Sequence, residues 1–131
     1  MTIRHYLARH PQQRKGHPLL IEDLLKMAEA SKHEAVSACL AMCEDLYLNG
    51  SRSRYIRPIQ GSPLYELRTQ ARDQKACARV YFYWRNPEEV VLVHAETTDH
   101  DRVSMKLLNG CAAVRSADLQ GRNVLDRAVA T

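Results

Sequence analysis

Long apolar runs are missing from this chain of 131 residues. The most apolar stretch, Val90 to Ala95, is far shorter than the ~20 residues that a helix needs to cross a bilayer, so no membrane span is expected. Cysteine occurs at positions 39, 43, 77 and 111 but never in a C-x-x-C pair, the usual ligand or redox spacing. Aromatic residues are scarce at 6%, and half of the eight sit together in Tyr81-Phe82-Tyr83-Trp84. There is no internal repeat and no low-complexity stretch. The chain opens on Arg4, His5, Arg9 and His10 where a secretory leader would be apolar. These features lead us to expect a cytoplasmic protein with reduced thiols.

What is present suits one domain with one core: 45% hydrophobic and 26% charged residues over a length that can bury a sizeable interior. The net charge of +4 permits a nucleic acid or an acidic protein partner without requiring either.

Residues 1–18 are polar and basic, with Ile3, Tyr6 and Leu7 suggesting a short edge strand. Gly16 and Pro18 break the chain before the first helix. From Leu19 to about Ala30, Leu20, Leu24, Met27 and Ala28 fall on one helical stripe. Ser31-Lys32-His33-Glu34 has the form of a capping box opening a second helix. Val36, Cys39, Leu40, Cys43, Leu46 and Tyr47 are its apolar side, and Asn49-Gly50 is its end. Two helices with so little chain between them should form a hairpin. Ser51 to Arg57 reads as a basic loop. Strands are expected at 64–68, 77–84 and 90–95, with a tight turn at 85–88 and antiparallel pairing. Val103, Leu107, Cys111 and Val114 recur at helical spacing, weakened by Gly110. After the break at Gly121 a final short helix through Val124, Leu125 and Ala128 is expected. The fold class is therefore α+β, with a helical hairpin packed on a small antiparallel sheet and a C-terminal helix.

The phrases Leu64-Tyr65-Glu66-Leu67-Arg68, Ala78-Arg79-Val80-Tyr81-Phe82 and Val90 to Ala95, in this order, resemble strand motifs of the RelE/ParE toxin superfamily. The similarity is greatest to its HigB-like and phage-derived branch. Gly16-His17-Pro18-Leu19 and Asn49-Gly50 fit the same pattern. The resemblance covers about 16–115 of a single domain and leaves 116–131 as an extension. It implies the toxin of a toxin–antitoxin pair: an endoribonuclease that cleaves mRNA, often on the ribosome, without metal or other cofactor, and that an antitoxin protein inhibits. It also leaves open a binding protein that has lost catalysis, or a ParE-like protein acting on gyrase.

The resemblance puts Arg79 at the family's strand arginine, where a guanidinium can hold two phosphate oxygens as charge builds. Alternation places it on one strand face with Cys77, Tyr81 and Tyr83; the tyrosines could stack on a base or donate a hydroxyl. The competing reading is that Arg79 pairs with Glu66 across the sheet. Arg68 also matches, as an RNA contact or as a sheet-edge residue. After the third strand the family shows a basic cluster. Here Glu96-Thr97-Thr98-Asp99-His100-Asp101 follows, and residues 86–101 hold five carboxylates and no Lys or Arg. A phosphate backbone would be repelled there. His94 and His100 could replace the missing base as a general base and acid pair, against the plainer reading of a strand end and a solvated neighbour. Lys106 stands near the place of the family's C-terminal basic or tyrosyl group. Arg52, Arg54 and Arg57 could touch RNA or an acidic antitoxin, or be a solvated loop. Cys39 and Cys43 with His33 could approach a metal, but their spacing describes an apolar helix side, so no metal site is expected.

Overall fold

The structure is a computed structural model that describes residues 3–13, 16–69, 77–98 and 103–127. Strand β1 (Arg4–Ala8) comes first, then helices α1 (Leu19–Glu29) and α2 (His33–Asn49). A 3-10 turn (Gly50–Arg52) leads into β2 (Ile56–Pro58), β3 (Tyr65–Arg68), β4 (Cys77–Asn86) and β5 (Glu89–Thr98). Helix α3 (Met105–Leu119) and β6 (Leu125–Arg127) complete the chain. The six strands form one mixed sheet in the order β2-β3-β4-β5-β1-β6. The α1–α2 hairpin carries the chain from β1 to the far edge, and the meander β2 to β5 returns it to lie parallel to β1. The remaining pairings are antiparallel.

The α+β class and the helix and strand order of residues 19–114 agree with the sequence. Four expectations need correction. The strand near Ile3 is not at an edge: β1 lies between β5 and β6 and makes the sheet mixed. The helix expected after Gly121 is instead strand β6, antiparallel to β1. The basic loop contains a 3-10 turn and a short strand, β2, in which Arg57 sits opposite Glu66.

The fourth correction concerns Ser31. It does not cap α2, whose first turn receives no side-chain hydrogen bond and whose N-cap position is Lys32. Ser31 has φ 60°, with its N–H donating to Ala28 O and the Lys32 N–H to Met27 O. These two bonds are a Schellman closure of α1, with Ser31 in the left-handed position that glycine normally takes. α3 closes the same way at Gly121 (φ 78°), through Gly121 N–H to Asp118 O and Arg122 N–H to Ala117 O. The tight hairpin used its serine to end one helix, which left nothing to cap the next.

The sheet carries helices on both faces. Leu20, Leu24 and Met27 of α1 and Cys39, Met42 and Leu46 of α2 pack on Leu67, Val80, Phe82, Leu92 and Ala95. Leu108, Cys111, Val114 and Ala117 of α3 pack on Tyr81, Tyr83, Val91 and Val93 of the opposite face. This explains why Cys77 through Tyr83 are buried without interruption, as in a strand covered on both sides. Shaving a core side chain such as Leu46 to Ala would cost about 2–5 kcal/mol.

Candidate functional site

Tyr81 and Tyr83 of the face expected to meet RNA lie beneath α3. Arg79 is fully buried, and its Nη1 donates to Glu66 Oε2 at 2.7 Å across the β3–β4 pair. Burial works against the guanidinium charge, but the bond to Glu66 and its negative charge more than offset this, so the pKa is raised. Tyr81 is also fully buried; its hydroxyl donates to Glu96 Oε1 at 3.0 Å and accepts the Ser104 N–H at 3.3 Å. Tyr83 donates to Asp118 Oδ2 at 2.9 Å. Burial, with Glu96 beside Tyr81 and Asp118 beside Tyr83, holds both phenols well above their ordinary pKa.

Arg79, Tyr81 and Tyr83 thus each have a carboxylate partner. The alternation that placed Arg79, Tyr81 and Tyr83 together is correct. The expectation that they face a ligand meets a covered surface. For the tyrosines the physical reason is α3, which packs on Tyr81 and Tyr83. The Arg79–Glu66 pairing given above as the alternative is the one present.

His94 is the exception among these candidates. A bulge in β5 sets Tyr81 opposite His94 but Phe82 opposite Leu92, so Val93 is the extra residue. The register of β1 on β5 ends at Leu7 and Leu92, so β5 runs on past the end of its neighbour. Asp23 of α1 fills that edge: its Oδ2 accepts the Ala95 N–H at 3.0 Å and contacts His94 Nδ1 at 2.7 Å. An oxygen already accepting one N–H meets the imidazole as an acceptor, which puts the ring proton on Nδ1. Nε2 is directed toward Gly110 of α3, where an added Cβ would come within 3.1 Å of it. The side chains keep 13% and 17% exposure for His94 and Asp23. The pair therefore reaches solvent, and it joins α1, β5 and α3. It has the form of an oriented proton-transfer group.

His100 lies outside the described residues. Lys106 is exposed on α3. Arg52 and Arg54 are exposed, and Arg57 and Arg68 are half-buried. The β2–β3 pairing sets Arg57 opposite Glu66, and the Arg68 N–H donates to Tyr55 O. None of these arginines is gathered with His94 into one cluster by any described contact. Cys39 lies in the core, as an apolar helix side requires, and burial pushes its thiol up to about 12. Among the described residues no three histidine, cysteine or acidic side chains gather as a metal site, and no helix is long and apolar enough to cross a membrane.

Asp23 was not identified from sequence as a partner of His94. Its acidic character was legible at the start of α1, but the histidine is 71 positions away. Gly110, a weak point by helix propensity, is the space that the His94 imidazole occupies against α3. In comparison with known proteins, no family model matches the chain and no curated protein matches it.

Proposed function

We propose that this chain is a RelE-like protein of the toxin–antitoxin kind that acts by binding a protein partner and not by cutting mRNA. The helix pair, the meander of strands carrying the Leu64–Arg68 and Ala78–Phe82 phrases, and the following helix support the RelE-like arrangement. One observation carries the loss of catalysis: Arg79, Tyr81 and Tyr83 are buried and each bonded to a carboxylate, Glu66, Glu96 and Asp118. A phosphate approaching Arg79 would have to break a buried ion pair, and one approaching the tyrosines would have to displace a packed helix. The carboxylates of residues 86–101 add repulsion.

The test is induced expression in a bacterium with mRNA ends mapped by primer extension. Growth should continue and transcripts stay intact; new cleavage within minutes of induction would overturn the reading. Arg79→Ala is a poor probe here, because breaking a buried ion pair lowers stability whatever the function.

A second reading has its own observation, the solvent-reaching Asp23–His94 pair. In that reading His94 Nε2 takes the proton from a substrate hydroxyl while Asp23 holds the ring. It requires that cleavage occur and that His94→Ala abolish it while the variant retains its fold by circular dichroism. Intact transcripts with the unaltered protein rule it out.

A further inference from the structure

We propose that the C-terminal half of α2 and the arginine turn after it form a docking surface for an acidic amphipathic segment of the partner protein. This rests on the binding reading above and names where the partner sits.

Arg52, Arg54 and Arg57 follow the end of α2 within a few residues, and none has an ion pair to a carboxylate among the described residues. Asp45 lies close by, but its two oxygens accept from Asn49 Nδ2 and Ser53 Oγ. The Arg54 and Arg57 guanidiniums are held in place, and the Asp45 charge acts on Arg54 without an ion pair between them. Arg54 lies over the Tyr55 ring at 4.9 Å and donates to its hydroxyl at 2.7 Å. Arg57 donates to the carbonyls of Ile56 and Arg54 at 2.9 and 3.2 Å. Groups already ordered lose little freedom on binding an anion.

The surface beside them carries two exposed leucines. Leu48, on the last turn of α2, is 65% exposed and Leu40, two turns earlier, is 55% exposed, with Ala41 also outside. Exposed leucines leading into arginines that form no ion pair among the described residues match a helix that is apolar on one side and acidic on the other. A nucleic acid fits less well. It offers nothing to the leucines, and the Tyr55 ring that a base would stack on is already covered by Arg54. Glu44 shares the exposed side of α2 between Leu40 and Leu48 and should repel the same ligand.

The experiment is fluorescence anisotropy on the full chain. The probe is a labelled helical peptide of about 18 residues, with leucines on one face and glutamates on the other. Controls are the same peptide with Gln for Glu, one with Ser for Leu, and an oligouridylate of equal charge. The acidic amphipathic peptide should bind best. Arg52→Glu with Arg54→Glu, and separately Leu48→Ser, should each weaken it by about tenfold, and Glu44→Gln should tighten it. Tighter binding of the oligouridylate, equal binding of the controls, no binding, or a surface buried by self-association in sedimentation would each overturn the docking proposal. The mRNA mapping above is a separate readout, so failure there and failure here are distinguishable.

Discussion

Glu66 on β3 accepts the Arg79 guanidinium of β4 at 2.7 Å, and both side chains are sealed from water. A buried ion pair contributes little over apolar residues of similar size, yet removing one partner strands a charge and costs about 3–5 kcal/mol. We expect Arg79→Met and Glu66→Leu each to lower unfolding stability by about 3 kcal/mol, and the double variant to recover most of that loss. Urea unfolding of the four proteins checks this. A double variant as weak as the sum of the singles would show that the pair is not the unit of stability.

His5 on β1 gives the fold a pH dependence. Its ring is buried, stands edge-on to Tyr47 at 5.4 Å, and holds an Nε2 with no hydrogen-bond partner among the described residues. Burial lowers its pKa from 6.5 to about 4. Between those values the unfolded chain takes up a proton that the folded protein resists, so stability rises with pH across the window. The full value is present above about pH 6.5, and about 2–3 kcal/mol is lost by pH 4. Replacing His5 with Phe should remove that part of the slope. Parallel pH profiles of the two proteins, from urea midpoints between pH 4 and 7, would refute the assignment.

Ser31 occupies a left-handed position at φ 60° that closes α1. A side chain there costs about 1–2 kcal/mol of backbone strain that glycine avoids, partly offset by the greater entropy glycine has when unfolded. Ser31→Gly is therefore expected to stabilise the protein by about 0.5–1 kcal/mol, seen as a higher urea midpoint at an unchanged slope. A lower midpoint would mean that the hydroxyl acts at the helix start after all.

Local chemistry explains what the sequence revealed. The hydrophobic periods of Leu20–Met27 and of Val103–Val114, the alternation of Arg79, Tyr81 and Tyr83, and the Asn49-Gly50 stop depend on neighbours within a turn or a strand. These were legible. What was not legible depended on which side a distant element packs. The 77–84 stretch shows that Tyr81 and Tyr83 share a face, but not that α3, beginning at Met105, lies over them. The parallel placement of β1 beside β5 and the meeting of Asp23 with His94 likewise join residues more than 70 positions apart. Serine 31 failed for a different reason: one residue fitted two local roles, and the shortness of the hairpin chose between them.

Gly110 and His94 supply the sharpest test of how α3 is seated. Alanine in the interior of a helix is worth about 1 kcal/mol over glycine. At position 110, however, the new Cβ would lie 3.1 Å from His94 Nε2 and 3.5 Å from its Cδ2. The imidazole is held by Asp23 on its other side and cannot yield without lengthening that 2.7 Å bond. Gly110→Ala should therefore destabilise the protein by about 1 kcal/mol or more, reversing the helix preference. In a His94→Ala background the obstruction is gone, and the same substitution should stabilise by about 1 kcal/mol. The measurement is a double-mutant cycle by urea unfolding. An effect of the same sign in both backgrounds would place His94 elsewhere than against α3 and would remove the Asp23–His94 pair as the joint between the two faces of the sheet.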